Sequence, residues 1–393
     1  MRILYIINYY KPAYVYGGPV RSTSLLCEAL AKLGAKVTVL TTNVNGAGQL
    51  DIPLGQAVMV DGVEVFYYPI VPIPPRSFFY SPALAQACHQ KIANFDIAVL
   101  DTFFTHAMGP AATACKQAQV PYIVPTRGQL LPWALQHRRL KKQLYLTLFG
   151  YRYLNEATAI HCTVPAEVEA IAKLGLKAPT ITIPNGLEAR RWAKLPSRGG
   201  LRQRLGIAPN DTMLLCLGRL HEVKRPEIAL SAFAMLKQKD NVQLVYAGPD
   251  EEGLAGKLRA QSQALGCASQ VHFTGLLAGV EVLQALADAD LLLMPSIMES
   301  FGMSALEAMA AGLPVLTSQD VPVGQWAEAA GAGRAVAGTT EAFAEALQKL
   351  LAYPEQLKIM GQRGQALVRD RFNIMAVAQQ MLSQYQAILD LEV

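Results

Sequence analysis

Two glutamates, Glu299 and Glu307, flank Phe301-Gly302 in the stretch SIMESFGMSALEAMAAGLPVL. If the whole stretch between them were helical, they would stand about 12 Å apart along the axis. With Glu299 in a loop and Glu307 in the first turns of a helix, both can face one bound molecule. A carboxylate accepts hydrogen bonds and donates none, so the pair suits sugar hydroxyls and not phosphate. A helix starting after Gly302 would offer unpaired N–H groups and a positive dipole end to phosphate or sugar oxygens. Gly302 would let the backbone approach a ligand closely. Glu307 also has a local explanation, since Ser304-Ala305-Leu306-Glu307 has the form of a capping box.

Arg219 and Lys224 lie in CLGRLHEVKRPEIAL, directly after an apolar run. Arginine brings a fork of donors and lysine a point charge, the makings of a phosphate-binding turn; the alternative is a solvated basic loop. Gly17-Gly18 separates the first apolar run from the first helical pattern and can admit a diphosphate. Two other patterns are decoys. Asp288-Ala289-Asp290 has the D-x-D form of some metal sites but precedes its apolar run, which makes it a helix-to-strand turn. GAGRAVAG fails the dinucleotide glycine spacing and also precedes a strand, which disfavours a nicotinamide enzyme.

These residues need a scaffold, and the rest of the chain supplies one. Its 393 residues exceed one small core, and a charged content of only 17% fits parallel sheets covered on both faces. A net charge of +5 permits small anionic ligands or an acidic membrane surface but is too weak to argue for nucleic acid. Six scattered cysteines show no metal spacing and read as core residues in a reducing compartment. No apolar run is long enough to span a bilayer, and RILYIIN reads as a first strand, which points to a cytoplasmic protein. Strand and helix patterns alternate to about residue 190, with Asp61-Gly62 turning a hairpin and Ser81 capping a helix. A basic, Pro- and Gly-containing linker follows, and the alternation then restarts. That pattern is α/β, two doubly wound domains.

The motifs together resemble the retaining glycosyltransferases of family 4, which have the GT-B fold of two Rossmann-like domains across an interdomain cleft. The resemblance rests on Glu299…Glu307 with EAMAAGLPV, on Arg219…Lys224, on Gly17-Gly18 and on Pro184-Asn185-Gly186, and it covers nearly the whole chain. It implies an acceptor-binding domain over 1–190, completed by a C-terminal helix over 373–393, and a nucleotide-sugar domain over 206–372. It implies that Glu299 contacts hydroxyls of the transferred sugar and Glu307 the ribose. Arg219 and Lys224 would hold the diphosphate, and backbone groups of Phe301, Gly302 and Met303 the sugar and phosphate oxygens. His106, after the run DIAVL, would lie near the donor sugar, and Arg127-Gly128 on the acceptor side, with Arg127 meeting an anionic acceptor.

The activity implied is transfer of a sugar from a nucleoside-diphosphate donor to a saccharide or lipid-linked acceptor, in polysaccharide or glycolipid assembly, with no metal or other cofactor. A nucleotide-sugar 2-epimerase, or a non-catalytic nucleotide-sugar-binding protein, would use the same fold. Residues 133–154 form a basic helix that suits peripheral contact with the inner face of a membrane, or a solvated face over a buried one. Phe78, Phe79 and Tyr80 belong to a proline-rich loop that reads as an acceptor lid, a membrane wedge or a segment folded onto the core.

Overall fold

Apolar runs without alternation, such as Ile3-Leu4-Tyr5-Ile6 and Leu291-Leu292-Leu293-Met294, become strands buried along their length. This is the signature of parallel sheets covered on both faces. The computed structural model describes residues 1–391 apart from Pro72, Pro74, Ala193 and Glu251. The chain divides into two units, Met1–Gly186 with Ile374–Val393, and Leu187–Asn373.

The first unit contains β1 Arg2–Ile7, β2 Lys36–Thr42, β3 Val44–Asn45, β4 Gly48–Gln49, β5 Ala57–Val60, β6 Val63–Tyr68, β7 Ile97–Asp101, β8 Tyr122–Pro125, β9 Ala159–Cys162 and β10 Thr180–Thr182. Its main sheet has the order β10-β9-β8-β7-β1-β2-β6-β5. Only the β5–β6 pair is antiparallel there. Its turn is Asp61-Gly62, with φ of 49° and 85°, the two left-handed positions a tight hairpin demands. The helix Gly18–Lys32 carries a proline in its first turn, and Pro82–Lys91 is capped by Ser81, which accepts from Leu84 N at 3.2 Å. The helix Ile374–Leu391 belongs to this unit, and a buried 2.9 Å hydrogen bond joins Tyr385 to Tyr5 of β1.

The second unit contains β11 Thr212–Leu217, β12 Val242–Ala247, β13 Val271–Gly275, β14 Leu291–Met294, β15 Val315–Ser318 and β16 Gly333–Val336. The order is β13-β12-β11-β14-β15-β16, with all pairs parallel. Counted from β11 this is the doubly wound 3-2-1-4-5-6 arrangement. Strand order reverses beside the first strand of each unit, between β1 and β7 and between β11 and β14. Crevices for ligands open at the carboxyl ends of strands at such reversals.

Three sequence readings gain detail, and the one for residues 133–154 changes. The linker after residue 190 is anchored, because Asp288 accepts from Leu201 N at 2.6 Å and Arg202 N at 3.0 Å at the start of the helix Gly200–Leu205. Asp290 binds Arg198 at 2.6 Å, Arg202 at 2.8 Å and Met213 N at 2.8 Å. The D-x-D oxygens therefore serve a helix start and two arginines at the amino end of β14. Residues 133–154 are not one helix. Pro132–Gln136 ends before Arg138, which is left-handed at φ 55°, and a π-turn, Leu146–Gly150, separates Arg139–Tyr145 from Tyr151–Asn155. Phe78, Phe79 and Tyr80 are half-buried, packed against other aromatic rings of the first unit.

Candidate functional site

The second unit brings its charged residues to the crevice beside β11 and β14. Arg219 follows β11 and is exposed. The chain turns there because Gly248, at the end of β12, lies so close to the Gly218 carbonyl that a Cβ would stand 1.8 Å from that oxygen. Lys224 ends a short helical turn, and its Nζ donates to Oε1 of Glu299 in the loop after β14. Their side chains are 26% and 13% exposed, so the pair is partly desolvated but reachable. An ammonium has three N–H donors, so Lys224 can hold Glu299 and still serve a phosphate oxygen. The two loops are also tied through their backbones, Ile297 N donating to Val223 O at 3.0 Å. Arg225, next in sequence, donates to Gly338 O at 3.0 Å.

The helix Met303–Ala310 begins at Gly302 with no side chain capping it. Ala305 N already donates to Gly302 O at 3.1 Å, so the amides that can face an anionic or sugar oxygen at this helix start are those of Met303 and Ser304. Ser304 lies inside this helix and contacts Met294 Sδ at 3.7 Å, so the capping box is not formed. Glu307 is buried within the helix. Gly302 has a second reason. With φ at 103°, its missing Cβ would meet Val321 at 2.7 Å and Val323 at 2.8 Å, so packing against the start of the next helix also demands a glycine here. Phe301 is buried against Trp326 and Phe372, and its carbonyl accepts from Val323 N at 3.0 Å.

The first unit's crevice differs. Gly17 caps the helix Gly18–Lys32 through its backbone, with φ at 68°. His106 lies five residues past β7. Its Nδ1 accepts from Ser81 N at 3.3 Å, which puts the ring hydrogen on Nε2. Phe78 and Tyr80 pack edge-on to this ring, and burial lowers its pKa. Beside it Tyr9 and Tyr16 stack at 4.2 Å, with Phe79 edge-on to both.

Arg127 does not present its charge to an acceptor. Its Nε donates to Asp101 at 2.6 Å, Nη1 to Ser22 at 3.1 Å and Nη2 to Thr23 at 2.8 Å, with 10% of the side chain exposed. Gly128 N donates to Glu167, a buried carboxylate that also accepts from Thr126 Oγ1 at 2.6 Å, Thr163 N at 2.6 Å and Thr163 Oγ1 at 2.9 Å. Glu167 and Asp101 are the residues the sequence reading missed. The one available signal was Asp101 itself, an acid at the end of a wholly apolar strand.

Burial pushes the Cys88 and Cys162 thiols up to about 12, as core residues. Among the described residues, no three of His, Cys, Asp and Glu come together as a metal ion would need.

Two Rossmann-like sheets, each with its candidate residues at the reversal of strand order, define the GT-B class of glycosyltransferases. Residues 17–186 match the glycosyl transferase 4-like domain and residues 197–367 match the glycosyl transferases group 1 model. The chain belongs to the group 1 glycosyltransferases. It is 34% identical over 164 residues to a D-inositol 3-phosphate glycosyltransferase of Actinosynnema mirum, covering 39% of each chain. It is 31% identical over 171 residues to the alpha-monoglucosyldiacylglycerol synthase of Streptococcus pneumoniae, covering 42% of this chain and 38% of that protein. The matched stretch thus spans about two-fifths of these relatives. Among solved structures, Anabaena HepE in complex with UDP and glucose superposes with a TM-score of 0.76 at 20% identity, over 98% of this chain and 100% of that one. The sucrose-phosphate synthase of Thermosynechococcus elongatus gives 0.78 at 21% identity, over 99% of each. At such identities the likeness is one of fold. No helix among the described residues is long and apolar enough to cross a membrane.

Proposed function

We propose that the protein moves a sugar from a nucleoside-diphosphate donor to a hydroxyl of a saccharide or lipid-linked acceptor, with the anomeric configuration retained. The observation that carries this reading is the convergence of Arg219, Lys224, Glu299 and the uncapped helix Met303–Ala310 on one crevice of the second unit. Arg219, Lys224 and the helix amides hold the diphosphate. Glu299, steadied by Lys224, accepts from sugar hydroxyls, and Glu307 accepts from the ribose. In the first unit's crevice, His106 offers its Nε2–H to a sugar hydroxyl. The ligands bound to HepE, UDP and glucose, are in keeping with this division of labour.

In the step itself, the bond between the anomeric carbon and the diphosphate oxygen breaks with its electron pair going to the diphosphate. The acceptor oxygen bonds to that carbon from the same face, and its proton passes to a departing phosphate oxygen. Positive groups fixed where charge develops are usually the largest catalytic contribution. Glu299 is committed to Lys224, which supports a hydrogen-bonding role over covalent attack. The buried thiols suit a reducing compartment, so we assign the reaction to the cytoplasm.

The test is to incubate the protein with a panel of nucleoside-diphosphate sugars, alone and with saccharide and lipid acceptors, and to follow products by NMR. Transfer with the donor's own anomeric configuration is expected. An epimerised sugar nucleotide from donor alone would establish the 2-epimerase instead, and binding without any turnover would leave a binding protein.

A further inference from the structure

The π-turn in the segment after β8 produces a surface that the transfer reaction does not use. From Arg139 to Asn155 the backbone stays helical, and one face packs on the first unit: Leu146, Gly150 and Leu154 are buried. Gly150 permits this, since a Cβ there would stand 2.9 Å from Leu146 Cδ2 and 3.2 Å from Phe103. Tyr145 packs on the same side against Phe103 and Phe104. The outward face of such a helix should be polar. Here it carries Leu140, Leu144 and Leu148, exposed by 83%, 61% and 57%, with Phe149 at 47% beside them. The leucines recur every four residues, which aligns them in one stripe on the helix surface.

The charge around this stripe has one sign. No Asp or Glu occurs between Pro132 and Asn155. Arg138, Arg139 and Lys141 are exposed at its N-terminal end. Two other cations are occupied: Lys142 Nζ turns inward to Ala134 O at 2.6 Å, and Arg152 pairs with Glu156 at 3.3 Å. We propose that this face docks the protein on an anionic lipid bilayer. The leucines and Phe149 enter the boundary between headgroups and acyl chains, and Arg138, Arg139 and Lys141 meet the lipid phosphates. Charge decides between this occupant and a second copy of the chain. A face that carries cations and no Asp or Glu from Pro132 to Asn155 has no carboxylate to offer a second copy's cations, whereas an anionic surface neutralises them.

The experiment is co-sedimentation of the full chain with vesicles of phosphatidylcholine alone and of equal parts phosphatidylcholine and phosphatidylglycerol. Binding to the mixed vesicles, weak binding to the neutral ones and release by salt are expected. Leu140→Ser/Leu144→Ser/Leu148→Ser should lower partitioning at least a hundredfold by the apolar area withdrawn. Each of Arg139→Gln and Lys141→Gln should lower it roughly fivefold. All five positions are exposed, so the thermal midpoint should hold. The proposal is overturned if the wild-type chain ignores anionic vesicles, if the triple serine variant binds as well as wild type, or if the triple substitution instead dissociates a dimer in light scattering. None of these readouts needs turnover, so the outcome is independent of the proposed transfer reaction.

Discussion

Both units reverse their strand order beside their first strand, yet they use charge in opposite ways there. In the first unit the ions are spent inside the fold: Arg127 is taken up by Asp101, Ser22 and Thr23, and Glu167 by Thr126, Gly128 and Thr163. What its crevice shows is a neutral histidine among tyrosine and phenylalanine rings. In the second unit Arg219 is exposed, and Lys224 and Glu299 pair within reach of solvent. One topology therefore carries an uncharged, aromatic crevice in one unit and an exposed, charged one in the other. Breaking charge in the first unit should damage folding, and breaking it in the second should damage rate.

The largest effect expected is on the folding side. Arg127→Met leaves Asp101 buried without its cation and should cost about 3–5 kcal/mol in urea unfolding, because an uncompensated buried charge is expensive. Molecules that remain folded should keep the wild-type affinity for nucleoside diphosphate. The mirror experiment is Arg219→Ala or Lys224→Ala. Each should lower kcat roughly a hundred- to a thousandfold, the loss seen when one charge-stabilising donor is removed. The thermal midpoint should shift little, with Lys224→Ala the more costly because Glu299 loses its partner.

Gly302→Ala sharpens the comparison at the backbone. Strain at φ 103° and the approach to Val321 and Val323 should cost about 1–3 kcal/mol of stability. Because the cost is paid in packing, nucleotide affinity of the folded variant should fall by less than for Arg219→Ala.

The smallest effect concerns pH. Burial lowers the His106 pKa from its usual 6.5, so the unfolded chain binds the proton more tightly than the native one. That contribution to stability is fully present above pH 6.5 and is lost as pH falls through the native value. His161 and His272 are lowered in the same direction by burial. Unfolding curves on the acid side should therefore slope less for His106→Gln than for wild type, without becoming flat.

What was legible in the sequence was local. Unbroken apolar runs gave the strands, Asp61-Gly62 the hairpin and Ser81-Pro82 a helix start, since each is decided by neighbours within a few residues. The positions of Arg219, Lys224 and Glu299 after β11 and β14 were legible because loops after strands are where a doubly wound sheet exposes side chains. The partner of a buried charge was not legible. Arg127 finds Asp101, 26 residues away, and Ser22, 105 away, only once β7, β8 and the first helix are in place. The same holds for the Lys224–Glu299 pair, 75 residues apart. Glu307 misled in the other direction: the capping pattern is present in sequence, but Gly302 starts the helix two residues before Ser304. Helical periodicity reports neither the break at left-handed Arg138 nor the π-turn, where Gly150 packs close to Phe103.

Calorimetric titration of uridine, guanosine and adenosine diphosphates into wild type, Arg219→Ala and Arg127→Met tests the central claim most directly. The account predicts that at least one of the three binds wild type, that Arg219→Ala weakens it at least tenfold, and that folded Arg127→Met binds it unchanged. Equal binding by wild type and Arg219→Ala, or a loss confined to Arg127→Met, would contradict the division of labour between the two units.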